Sequence, residues 1–166
     1  MSAAFCYYLR VRYQECDAQH VVFNARYGDF IDLACFEFLR AALPSPTACS
    51  DGSFETQTVR QLVEWKGSAR FDDVLAVSVR TSRVGSTSFT LNFDIRRAGE
   101  EQVLATCETT YVHVDKASYN KRSIAPHMRA ALERGAPGKS VDHAGHCRCV
   151  PAAGAGDCGA RPDEAC

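Results

Sequence analysis

The chain has 166 residues, 46% hydrophobic and 23% charged, a composition ordinary for one soluble globular domain able to bury its own core. Its 19 basic and 20 acidic residues leave a net charge of -1, which argues against a dedicated nucleic-acid binder. No apolar run approaches the roughly 20 residues of a membrane-spanning helix, and no basic start, apolar block and cleavage site mark a signal peptide, so the expected compartment is the cytoplasm. Nine cysteines, an odd count without a secretion signal, read as reduced thiols rather than a disulfide framework.

Residues 5–13 (FCYYLRVRY) predict a strand, and residues 14–24 a loop. Tyr27, Phe30, Ile31, Ala34, Phe38, Ala41 and Ala42 then recur at spacings of three and four, the period of an amphipathic helix. Asn24 suits its N-cap, and Pro44 stops it soon after Leu43. Residues 44–56 carry the prolines, serine, aspartate and glycine of a loop. From there the period is two. Val59–Trp65, Val74–Arg83, Thr87–Arg96 and Val103–Val114 predict four strands. In the third, Phe89, Leu91, Phe93 and Ile95 alternate with Ser88, Thr90, Asn92 and Asp94, so one face is buried. Pro126 opens a short helix running to about Glu133.

Short connections between sequential strands imply an antiparallel meander. The long helix has only that sheet to bury its apolar stripe against. The expected fold class is therefore α+β, an antiparallel sheet wrapped around one long central helix. After Gly135 the composition turns to Gly, Ala, Pro and Cys, with only Val141 and Val150 as large aliphatic residues. So little apolar surface does not offset the entropy of ordering. The expectation is a domain over residues 1–135 and a disordered tail over 136–166. Cys-x-Cys with His143 and His146 in that tail could hold a soft metal, but the spacing is not the common Cys-x2-Cys, and no metal is assigned.

The loop from Cys16 to Asn24 places an acid, Asp17, just before a helix start, where unpaired N–H groups and a positive dipole end are exposed. Such donors can hold the oxyanion formed when a carbonyl is attacked, and the carboxylate can attack directly or activate water. The same placement also suits an Asp that only satisfies loop amides. Cys16 has no orienting histidine beside it, and its acidic neighbour disfavours a thiolate.

The stretch from Val11 to Arg40 resembles the hotdog-fold acyl-CoA thioesterases of the 4-hydroxybenzoyl-CoA thioesterase superfamily. The resemblance rests on Arg12-Tyr13, Asp17, Val21-Val22, Asn24-Ala25-Arg26-Tyr27 and Glu37-Phe38-Leu39-Arg40. The segment Val63–Leu75, with Asp72-Asp73, and the strand end Val112-His113-Val114-Asp115 continue it, so that it covers about residues 7–133. The resemblance implies an acyl-CoA thioesterase that needs no cofactor. It also implies a homodimer joined through sheet edges, or a homotetramer, with active sites at the dimer interface. It places Asp17 as the catalytic carboxylate, with helix-start amides near Asn24 and Ala25 as carbonyl polarisers. His20, Asn24, Ala25, Arg26 and Tyr27 become candidate substrate contacts, Arg26 as a CoA phosphate contact or a solvated side chain. One departure stands out. The family usually has glycine where His20 stands, and a positive φ strains histidine but not glycine. That departure keeps open a second reading, a noncatalytic protein that binds acyl-CoA or acyl carrier protein.

Overall fold

A computed structural model of the protein describes residues 4–146. Strand β1 (Phe5–Arg10) sends Phe5, Tyr7 and Leu9 into the core. It stops short of the expected Tyr13 because the next residues close on themselves. The Arg12 N–H donates to Glu15 Oε2 at 2.7 Å, and its guanidinium to Oε1 at 2.6 and 2.9 Å, which winds Tyr13–Glu15 into a 3-10 turn. Helix α1 (Arg26–Ala42) has 17 residues and buries Tyr27, Phe30, Ile31, Ala34, Cys35, Phe38, Leu39 and Ala42. That stripe packs on β1 and β3, and each large side chain in it contributes about 1.5–3 kcal/mol by leaving water. The N-cap is Ala25 rather than the expected Asn24, and no side chain caps the helix.

Strands β2 (Thr56–Trp65), β3 (Val74–Val84), β4 (Ser88–Arg97) and β5 (Val103–His113) follow. A second helix, α2 (Pro126–Arg134), packs on β3 and buries Ala131 and Leu132. The sheet has six strands in the order β2-β5-β4-β3-β1-β6. Strands β3, β4 and β5 form the expected antiparallel meander. Strand β2 does not join it as a neighbour of β3; it pairs with β5 at the far edge. The loop 66–73 must therefore cross three strand spacings, about 14 Å, well within the reach of a loop of that length.

The disordered tail expected from residue 136 does not begin there. Ala136 is buried, and Ser140–Asp142 forms β6, parallel to β1. The Cys6 N–H donates to Lys139 O at 3.1 Å and the His143 N–H to Tyr8 O at 2.9 Å. Backbone pairing, which composition does not report, orders this stretch and makes the sheet mixed rather than wholly antiparallel. Residues 147–166, with Cys147, Cys149, Cys158 and Cys166, lie outside the described residues. Cys16, Cys35, Cys49 and Cys107 form no disulfide among the described residues. Among the described residues no helix is long and apolar enough to cross a membrane.

Candidate active site

Three segments meet at one end of α1: the loop after β1, the helix start, and the crossing loop 66–73. The first is a tight turn. The Asp17 N–H donates to Val21 O at 2.9 Å, and the His20 N–H to Asp17 O at 2.9 Å. Closing this turn requires a left-handed residue, and His20 supplies it with a φ of 60°. The loop thus follows the path a glycine would take, at some cost in strain. The Gln19 N–H donates to Asp17 Oδ1 at 2.8 Å and fixes the carboxylate. Oδ2 has no protein donor among the described residues.

The helix start leaves two backbone donors open. The Arg26 N–H donates to Phe23 O at 2.8 Å, the Tyr27 N–H to Asn24 O at 3.4 Å, and the Gly28 N–H to Ala25 O at 3.2 Å. These turn bonds use the first helical donors. The N–H groups of Asn24 and Ala25 are left without a protein acceptor among the described residues, at the positive end of the helix dipole.

Asp17 and Asn24 line one hollow of about 250 Å³, with Tyr27, Trp65, Gly67 and Ser68. Tyr27 is buried and acts as a strut. Its hydroxyl accepts the Ala69 N–H at 3.2 Å, and its ring meets Trp65 edge-on at 6.4 Å. The Val22 N–H in turn donates to Ala69 O at 2.8 Å, which ties the crossing loop to the loop that carries Asp17. On its other side Asp17 borders a second hollow of about 560 Å³, formed with Tyr13, Cys16, His20 and Phe71. Tyr13 and Phe71 are exposed rings in edge-to-face contact at 6.2 Å.

The six candidate residues therefore separate. Asp17, Asn24 and Tyr27 share the first hollow, and His20 faces the second. Ala25 lines neither hollow and follows Asn24 at the helix start. Arg26 turns away to pair with Asp29 at 3.0 Å and lines neither hollow. Trp65, Ser68 and Phe71 were not singled out by sequence reasoning, although the Val63–Leu75 resemblance spans them. Burial, and then the nearby Asp17 and Glu15 carboxylates, push the Cys16 thiol above its ordinary range, so it is no ready thiolate. Asp72 and Asp73 shape the strand entry: Asp73 accepts the Arg70 N–H at 2.8 Å and the Arg97 side chain at 2.8 Å. Among the described residues no group of three or more His, Cys, Asp or Glu side chains gathers to hold a metal. His143 Nδ1 lies 3.1 Å from the Tyr7 hydroxyl, and His146 stacks on Tyr8.

The family profile of a thioesterase-like superfamily matches residues 11–132. Solved structures share the fold. A probable thioesterase from Escherichia coli is 22% identical, with a TM-score of 0.69 over 79% of this chain and 98% of its own. A 1,4-dihydroxy-2-naphthoyl-CoA thioesterase from Synechocystis is 21% identical, with a TM-score of 0.68 over 78% of this chain and 96% of its own. A gentisyl-coenzyme A thioesterase is 23% identical, with a TM-score of 0.68 over 76% of this chain and 98% of its own. Among curated proteins, none matches the chain.

Proposed function

The chain belongs to the thioesterase-like superfamily and has its hotdog fold, and from that premise we propose that it hydrolyses an acyl-CoA thioester to a carboxylic acid and CoA. The observation that carries this reading is the meeting, at one hollow, of a carboxylate oxygen without a protein partner and the segment bearing two unused helix-start N–H groups. The thioester carbonyl oxygen takes the N–H groups of Asn24 and Ala25, which strengthen their hold as negative charge develops. Asp17 Oδ2 then removes a proton from the attacking water, or attacks the carbonyl itself and forms an anhydride that water opens. Either route breaks the C–S bond and returns the sulfur to CoA as a thiol.

On this reading α1 is the helix about which the sheet wraps, and β2 is the seam of a homodimer. The β2 edge is ten residues long and mostly exposed, the kind of open edge that proteins cover. Val59, Leu62 and Trp65 on β2, and Leu33 and Phe36 on α1, are exposed apolar side chains that a second subunit would shield. His20 holds the glycine-like turn, and the noncatalytic alternative, an acyl-CoA or acyl-carrier-protein binder, is the reading that tight binding without turnover would favour. Release of free CoA from aromatic, short-chain and long-chain acyl-CoAs, followed by chromatography, tests the activity. Absence of release from every thioester would refute it.

A further inference from the structure

Arg97, the last residue of β4, reaches the crossing loop with its whole guanidinium. Its Nε donates to Asp73 Oδ2 at 2.8 Å, Nη1 to Glu100 Oε2 at 3.3 Å, and Nη2 to the Ser68 carbonyl. Asp73 Oδ2 also accepts the Arg70 N–H at 2.8 Å, so one side chain ties both halves of the loop to the sheet. The Arg97 and Asp73 side chains are only 27% and 23% exposed. A charged pair so sheltered from water, with a planar fork of donors, holds a defined geometry.

The Ser68 carbonyl belongs to the same peptide group as the Ala69 N–H, which donates to the Tyr27 hydroxyl at 3.2 Å. That peptide is gripped at both ends, by β4 through Arg97 and by α1 through Tyr27, and its planarity leaves no slack between them. The next carbonyl, Ala69 O, takes the Val22 N–H at 2.8 Å, and Val21 O takes the Asp17 N–H at 2.9 Å. Arg97 lines neither hollow beside Asp17, yet one peptide links it to the helix start and to the turn that carries the acid. We propose that Arg97 is a positioning residue for the reaction. Through the Ser68–Ala69 peptide it sets the separation between the Asp17 carboxylate and the N–H groups of Asn24 and Ala25. This rests on the thioesterase reading for the reaction, but not for the geometry. Reacting groups tolerate little displacement: about 1 Å of misplacement from a remote substitution can cost about 100-fold in rate.

Steady-state kinetics and tryptophan emission of the full-length protein test this together. In Arg97→Gln, kcat should fall about 10–100-fold with KM unchanged, the pattern of a lost transition-state arrangement rather than lost binding. Arg97→Lys keeps the charge without the fork and should recover part of kcat. Arg80→Gln breaks a pair with Asp94, 3.2 Å away, and should leave kcat unchanged. Trp65, the single tryptophan, lines the Asp17 hollow and meets the Tyr27 ring. Its emission should shift in Arg97→Gln and not in Arg80→Gln. Wild-type kcat in Arg97→Gln overturns the proposal, as does a rise in KM alone, or an equal loss of kcat in Arg80→Gln. If Arg97→Gln does not fold, Arg97→Lys carries both readouts, with a smaller fall in kcat expected and no fall overturning. If the wild type cleaves no thioester, the catalytic reading fails by itself and Trp65 decides: a shift sustains the hold of Arg97 on the site, and unchanged emission overturns it.

Discussion

The turn that holds Asp17 depends on a histidine in a left-handed conformation, and that can be measured as stability. His20 is exposed, so substitutions there change little but the backbone. A left-handed L-residue costs about 1–2 kcal/mol, and histidine tolerates the region better than most. The strain at φ 60° is thus about 1 kcal/mol. His20→Gly removes it but adds roughly 0.5–1 kcal/mol of chain entropy to be lost on folding, so the variant should lie within about 0.5 kcal/mol of wild type. His20→Val puts a β-branched residue at positive φ and should cost about 1–3 kcal/mol. The two variants should differ by about 2 kcal/mol, a shift of about 4–8 °C in Tm for a domain of this size. Urea unfolding followed by fluorescence of Trp65, the single tryptophan, reads the difference. If the valine variant is the more stable of the two, residue 20 is not left-handed and the account of the turn is wrong.

Tyr27→Phe keeps the ring but leaves the buried Ala69 N–H without its acceptor, which should cost about 1–3 kcal/mol of stability, read as a lowered urea midpoint; an unchanged midpoint would mean that the hydroxyl does not hold the crossing loop. Leu33→Glu combined with Phe36→Glu places charge on α1 side chains that are each 47% exposed, and should convert a dimer to an 18.2 kDa monomer in sedimentation. A wild-type protein that already sediments as a monomer contradicts the proposed seam.

The elements that the sequence made legible are those whose side chains report a buried face. The α1 stripe from Tyr27 to Ala42 and the alternation of Phe89, Leu91, Phe93 and Ile95 are consequences of burial, and the structure buries all of those residues except Ala41, which is half-buried. Strand order was not legible, because the choice of β5 over β3 as partner for β2 is made by where a loop lies, not by the pattern within the strand. Strand β6 was hidden for a related reason: a three-residue parallel strand held by backbone bonds has no period to read. At the site, Asp17 stood out because an acid before a helix start is chemically conspicuous. Trp65 and Ser68 did not, since only the end of β2 and the crossing loop bring them to it. His20 read as a departure from the glycine of the resembling family, and the structure keeps the glycine's conformation with a different side chain.

The central claim is that the Asp17 carboxylate drives thioester cleavage. It is tested most directly by comparing kcat/KM of wild type and Asp17→Asn on whichever acyl-CoA the wild type cleaves best, with free CoA quantified by chromatography. The account predicts a fall of about 10²–10⁴-fold, the loss expected for a missing acid–base group, in a variant that keeps the wild-type unfolding free energy to within about 1 kcal/mol. Equal rates in the two proteins would contradict it.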